Sequence, residues 1–328
     1  MAKLEAGTGR ICLSLLDSSA VFSELSATYP LKLLSPRTSP PNVAVVYILS
    51  YGGGLGSTKV FKVRPGVRLA KVHTDTTSPI TVQNFTFTVA DRSCLFLLPD
   101  PVTCFRAASY NQIQTFHLAR DASLIVLDWV TSGRKTLGED WLFARYYSIN
   151  EIFVEGRRVA RDAMLLEEEP EDPRVPRRTL AQRLAPYSCY AMLLLFGPAT
   201  QEIVKDLEER YVKITVFKRG APDDLLWSLS LVDSGRGAVV RVAGKETEAV
   251  KHWLKDALRR LENVVGPDVY QRTTLHEWLL LSRTSLVPMA KAALNAKSRI
   301  LGELATLVGP MISSVVVICP MSTIPLTA

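Results

Sequence analysis

Strand-forming sequence dominates the chain from residue 43 to residue 166, and this limits the fold more than any other feature. Residues 43–50 are a β-branched run. Ile80–Val89 alternates so that Thr81, Gln83, Phe85, Phe87 and Val89 share one side. Residues 123–129 and 142–149 have the same character. Residues 152–154 and 157–160 read as a hairpin about Glu155-Gly156, because glycine accepts the positive φ of a tight turn. Pro99-Asp100-Pro101 is a turn that interrupts pairing. No fixed-period repeat occurs. A mainly β fold follows, with a core large enough to need no staples.

The second half mixes element types. Thr200 is placed to cap a helix over Gln201–Tyr211, with Ile203, Val204 and Leu207 inward. Residues 212–218, 225–231 and 238–243 read as strands. A helix over 247–264 carries Val250, Trp253, Leu254, Ala257, Leu258 and Leu261 at helical spacing, and Gly266-Pro267 ends it. Residues 167–178 hold three prolines and blocks of like charge, so they form an exposed loop or linker.

Chemistry-bearing patterns are sparse. The five cysteines, Cys12, Cys94, Cys104, Cys189 and Cys319, form no C-x-x-C pair, which argues against a zinc module or disulfide framework. Reduced thiols in a cytoplasmic protein fit them better. The net charge of +7 comes in short basic pairs without interleaved aromatics, so nucleic acid is not an expected partner. No secretory signal opens the chain. Residues 304–319 are apolar but shorter than a span of about 20 residues, and Pro310 interrupts them. His73, His117, His252 and His276 share no metal-ligand spacing.

Gly52, Gly53 and Gly54 suggest a phosphate loop, yet Lys59 follows Ser57-Thr58 and a strand comes next. The triplet also resembles a lipase oxyanion loop, but no G-x-S-x-G elbow accompanies it. One cluster stands out. Asp128, Glu139 and Asp140 lie with Arg134 and two glycines between Trp129 and Trp141. Carboxylates hold a divalent cation loosely. The plainer reading is a loop stabilised by Arg134 pairing with Asp128 or Glu139.

At these residues the chain resembles the urease accessory protein UreD (UreH) family. The resemblance rests on Tyr51-Gly52-Gly53-Gly54-Leu55, Gly56-Ser57-Thr58-Lys59-Val60-Phe61, Leu97-Leu98-Pro99-Asp100-Pro101-Val102 and Tyr110-Asn111-Gln112. Its strongest part is Asp128-Trp129-Val130-Thr131-Ser132-Gly133-Arg134 with Gly138-Glu139-Asp140-Trp141. It implies a mainly β, β-helix-like scaffold of stacked strands, with a few helices in the C-terminal half. It implies a maturation factor rather than an enzyme, with no tightly bound cofactor. The implied partners are apo-urease, a UreF-like accessory protein and, through it, a UreG-like GTPase that brings nickel.

The resemblance further implies transient nickel passage by Glu139, Asp128 and Asp140, since a conduit must bind weakly enough to release. Gly52, Gly53, Gly54, Asp100, Trp129, Ser132, Gly133, Arg134, Gly138 and Trp141 are its structural or partner-facing motif residues. On this reading residues 1–40 match weakly, 41–272 form the UreD-like domain, and 273–328 are an atypical extension with a helical reading. Leu55 runs directly into Gly56-Ser57-Thr58, where the family carries an additional stretch. Two other readings compete: a hydrolase-type enzyme using Gly52–Gly54, and a membrane-tethered adaptor using residues 300–319.

Overall fold

The computed structural model describes residues 4–29, 31–38, 40–50, 61–63, 80–168, 178–214, 223–273 and 313–320. The chain opens with β1 (Gly9–Leu16), β2 (Ser19–Ala27), β3 (Leu31–Leu34), β4 (Ala44–Ser50) and β5 (Phe61–Val63). The middle holds β6 (Ile80–Val89), β7 (Ser93–Pro99), β8 (Val102–Thr103), β9 (Ser109–Leu118), β10 (Ser123–Thr131), β11 (Arg145–Val154) and β12 (Arg157–Glu167). Then come helix α1 (Leu180–Leu184), β13 (Cys189–Phe196), α2 (Gln201–Tyr211), β14 (Leu225–Val232) and β15 (Gly237–Gly244). Helices α3 (Thr247–Ala257), α4 (Glu262–Val265) and α5 (Pro267–Thr273) follow, and β16 (Ser313–Pro320) is last.

Two sheets stack. The larger runs β14-β15-β13-β10-β7-β16-β4-β3, with β8 paired to β10; the smaller runs β12-β11-β9-β6-β5. The chain winds between them, from β6 to β7, to β9, to β10, to β11. As a result β6, β9 and β11 are parallel neighbours, and so are β7 and β10. This is the mainly β stack expected from the sequence, with few helices and, among the described residues, no closed barrel.

Strand alternation divides the core. Ile125, Leu127 and Trp129 of β10 face one layer, where Ile203, Val204 and Leu207 of α2 and Val250 and Leu254 of α3 pack. Leu124 and Val126 face the smaller sheet and meet Phe87, Phe116 and Ile152. Those three residues occupy one rung of β6, β9 and β11, with the rings of Phe87 and Phe116 stacked at 5.0 Å. Burying such side chains stabilises the stack by about 1.5–3 kcal/mol each.

Several boundaries differ from the sequence reading. The strand expected at 142–149 begins at Arg145 and runs unbroken to Val154 before the Glu155-Gly156 turn (φ +48° and +80°). Thr200 makes no side-chain cap; its hydroxyl donates to the Gly197 carbonyl instead. The helix expected over 247–264 stops at Ala257 and continues as a 3-10 turn, Arg259–Leu261, and then α4. Leu258 leaves helical geometry (φ −92°, ψ 7°), and the tightened turn keeps both Leu258 and Leu261 buried. Residues 212–214 form a turn after α2 rather than a strand, and Val212 is exposed; the rest of the strand expected over 212–218 lies outside the described residues. Of the C-terminal extension, residues 313–320 are a strand and not a helix, because the larger sheet pairs them on both sides. Gly52–Gly54, most of the 167–178 loop and residues 274–312 lie outside the described residues.

Candidate functional site: a polar layer between the sheets

One level of the inter-sheet space is polar. Gln83, Gln112 and Ser148 share a rung of β6, β9 and β11, and Gln114 and Asn150 share the next with Phe85. Gln112, Gln114, Ser148 and Asn150 are buried. Asp128 of β10 reaches this layer from the opposite sheet and is itself buried. It accepts hydrogen bonds from Gln112 Nε2 at 2.9 Å, Asn150 Nδ2 at 2.7 Å, the Tyr146 hydroxyl at 3.1 Å, and the Ser148 hydroxyl. The Tyr110 hydroxyl donates to Gln112 Oε1 at 3.0 Å and also to Gln83. Gln114 Oε1 and Asn150 Oδ1 are buried with no partner, so two amide oxygens stand open to a donor or a cation.

The layer leads outward. Asn150 sits opposite Asp162 of β12, while Asp128 sits opposite Met192 and Met192 opposite Arg241 of β15. Asp162 and Arg241 form an ion pair that joins the two sheets at the half-exposed rim. A line of polar side chains therefore runs from the buried Asp128 through Asn150 to Asp162 and the surface.

Burial raises the Asp128 pKa above the usual carboxylate value, and its four hydrogen bonds only partly offset that. A raised folded pKa means that the associated stability is full below the unfolded value of about 3.9 and is lost as pH rises through the folded one. Wild-type stability, measured as the urea midpoint, should therefore fall relative to Asp128→Asn as pH rises above the unfolded carboxylate value of about 3.9. Parallel curves would contradict this. Glu139 acts with the opposite sign. Its hydrogen bonds from Arg134 hold its pKa down, so its contribution is lost as pH falls. Taking the difference between wild type and Asp128→Asn cancels it.

Glu139 belongs to a separate feature. Arg134 grips it with two hydrogen bonds, Nε to Oε2 at 2.8 Å and Nη2 to Oε1 at 2.6 Å. The Arg106 backbone N–H adds a third at 3.3 Å. The Glu139 side chain is 8% exposed, and Arg134 lies over the Phe105 ring at 4.0 Å. This is the Arg134 pairing expected from the sequence, with Glu139 as the partner. Gly133 has φ +126°, and a Cβ there would lie 3.0 Å from the Glu139 carbonyl oxygen. Gly138 takes the left-handed conformation that closes the turn Lys135–Leu137.

Ser132 and Trp141 fasten the ends of this loop. The Trp141 N–H donates to the Ser132 carbonyl at 2.6 Å, and the Ser132 N–H to Ser188 at 2.8 Å. Trp129 donates from its indole to the Pro99 carbonyl at 2.8 Å, anchoring the turn at Asp100 where β7 gives way to β8. Arg134→Ala is expected to raise amide exchange across residues 132–141 roughly tenfold while β9 and β11 keep their protection. Arg134→Lys should recover only part of it, since an ammonium cannot reproduce the two-pronged grip. Unchanged exchange in both variants would refute the clamp.

The three carboxylates singled out in the sequence are thus not gathered into one site. Asp128 is inside, Glu139 is clamped and Asp140 is exposed. No group of three His, Cys, Asp or Glu among the described residues could hold a metal ion. Burial pushes the Cys104 and Cys189 thiols up to about 12, so neither offers a thiolate. His117 is exposed and stacks on Phe153 at 5.2 Å, and His252 is exposed on α3; His73 and His276 lie outside the described residues. Sequence reading missed Gln112, Gln114, Ser148, Asn150, Asp162 and Arg241 as one group. Their signal was polar residues at inward positions of strands, legible only once strand facing is known.

Two stacked sheets enclosing a polar layer define a β-stack protein. The family model described as UreD urease accessory protein matches residues 5–274. "Urease accessory protein 4" of Cryptococcus neoformans is 35% identical over 296 residues, covering 78% of this chain and 90% of that one. "Urease accessory protein D" of Arabidopsis thaliana is 29% identical over 300 residues, covering 80% and 99%. "Urease accessory protein UreD" of an Anaeromyxobacter species is 31% identical over 286 residues, covering 82% and 90%. The chain belongs to the UreD urease accessory protein family, and its role is that of a urease accessory, or maturation, protein.

Proposed function

We propose that this chain is a non-catalytic, cytoplasmic scaffold that binds apo-urease and a UreF-like protein, engages a UreG-like GTPase through the latter, and helps deliver nickel to the urease active site. Membership of the family supports the maturation role. The observation that carries the nickel step is Asp128, a buried carboxylate on a polar line that reaches the surface at Asp162 and Arg241. One carboxylate among neutral amide and hydroxyl oxygens suits passage better than retention, because a tight site needs several charged or imidazole ligands at once. The unpartnered oxygens of Gln114 and Asn150 add weak, hard ligands along the way. On this reading the loop of Arg134, Gly138, Glu139 and Asp140 is a shaped surface, with Asp140, Leu137 and Leu142 exposed around the clamped ion pair. The family match over residues 5–274 takes in the N-terminal strands as well as 41–272, and β1 and β3 add Ile11, Leu13 and Leu31 to the core.

The alternatives gain no observation. Gly52–Gly54 lie outside the described residues, and His117 is exposed and stacked against Phe153. No helix among the described residues is long and apolar enough to cross a membrane.

Expression of a urease with its accessory proteins but without this one, and then with it, tests the proposal. Added wild-type chain is expected to raise nickel content and urease activity and to co-purify with apo-urease and the UreF-like protein. Equal activity with and without it, and no complex, would end the reading.

A further inference from the structure

The larger sheet contains one strand from outside the family-matched region. β16 begins at residue 313, whereas the match ends at residue 274. Yet it occupies an interior place, antiparallel to β4 on one side and to β7 on the other. Residues 313–318 pair with 44–49, and 314–320 pair with 93–99. Among the described residues, without it β4 would keep only β3 and β7 only β10, and each would present an open ladder of N–H and C=O groups. Such facing edges accept any extended segment whose alternation suits both, because the affinity comes from main-chain hydrogen bonds. Val315-Val316-Val317-Ile318 is a β-branched run of that kind.

The connection to α5 is residues 274–312, which fully extended would reach about 130 Å. Covalent geometry therefore does not bind β16 to its own sheet. The same strand offered by another molecule meets the same ladders, which is the condition for domain swapping.

We propose that the slot between β4 and β7 is a strand-acceptor site, filled by residues 313–320 and open to exchange with the same segment of a second copy of this chain. The register supplies a reporter. Cys319 lies directly opposite Cys94. An added small-molecule disulfide oxidant would take two electrons and two protons from the two thiols and leave a Cys94–Cys319 bond. In the full-length chain, mass mapping should find that bond within monomers at low concentration.

An equimolar mixture of Cys94→Ser and Cys319→Ser chains can form the bond only between molecules. It should yield a covalent dimer whose amount rises with concentration. No Cys94–Cys319 bond in the wild type would overturn the seating. A bond in the wild type but none in the mixture at any concentration would overturn the exchange. Val316→Pro gives a second readout. Val316 pairs with Val46 and Leu97, and proline cannot donate within an interior strand. Amide exchange at residues 44–49 and 95–98 should rise roughly tenfold while β9 and β11 stay protected, and added peptide of sequence 313–320 should reverse it. Unchanged protection at 44–49 and 95–98 would also overturn the proposal.

Discussion

Asp128→Ala should destabilise the protein by about 3 kcal/mol, read as a lowered urea midpoint by tryptophan fluorescence. Four donors, from Gln112, Tyr146, Ser148 and Asn150, lose their common acceptor in a space that water does not freely enter. Removing a desolvated charge offsets part of the loss, which is why the figure stays well below four separate penalties. Asp128→Asn keeps one acceptor oxygen and offers an amide to the Ser148 hydroxyl, but sets that amide against Asn150 Nδ2. A cost of roughly 1 kcal/mol is expected. The pair separates structure from passage. If Asp128→Asn folds and still joins urease but no longer raises nickel content, the negative charge matters for transfer. Full activation by Asp128→Asn would reduce Asp128 to a structural hydrogen-bond acceptor. A midpoint for Asp128→Ala equal to that of the wild type would contradict the geometry.

Trp141→Ala should cost about 3–5 kcal/mol. Trp141 is buried in a cluster with Phe143 and Tyr146, its ring 5.9 Å from Phe143 and 5.8 Å from Tyr190. Its indole N–H donates to the Tyr187 carbonyl at 3.2 Å. Alanine would leave a ring-sized void and an unpaired carbonyl beneath the loop that carries Arg134 and Glu139. Trp141→Phe fills most of the void and forfeits the hydrogen bond, so its loss should be smaller, about 1–2 kcal/mol. Equal losses in the two variants would show that the indole hydrogen bond, not packing, fixes the loop.

Local patterns carried much of the fold. β6 and α2 appear with the expected bounds, and the residues named as inward on α2 are buried. The Glu155-Gly156 hairpin was legible because its turn chemistry is local. β13 was not, since Cys189–Phe196 is buried on both faces and its apolar run lacks a period. The break after Ala257 escaped because the apolar stripe continues across it while the backbone changes geometry.

Of the polar layer, Asp128 was singled out in the sequence, whereas Gln114, Ser148, Asn150, Asp162 and Arg241 were not. Asp128, Glu139 and Asp140 are near in sequence, which suggested one loop. Strand alternation instead turns Asp128 inward from β10, and Arg134 claims Glu139 outside. Gln112, Ser148 and Asn150 come from strands whose neighbourhood arises only when the two sheets close over each other, and no spacing within the chain encodes that distance.

The winding of the chain between the sheets has a consequence for how the protein is made. From β6 to β11 the chain passes repeatedly from one sheet to the other, so neither sheet can complete this part of itself as a separate folding unit. Each parallel neighbour in β6, β9 and β11 must wait for an intervening strand to be laid down across the gap. Such pairings are distant in sequence and close slowly, on the order of milliseconds to seconds or longer. The polar layer and its carboxylate are therefore sealed in the same cooperative step that completes the stack, and a nascent chain released before β11 arrives would expose both.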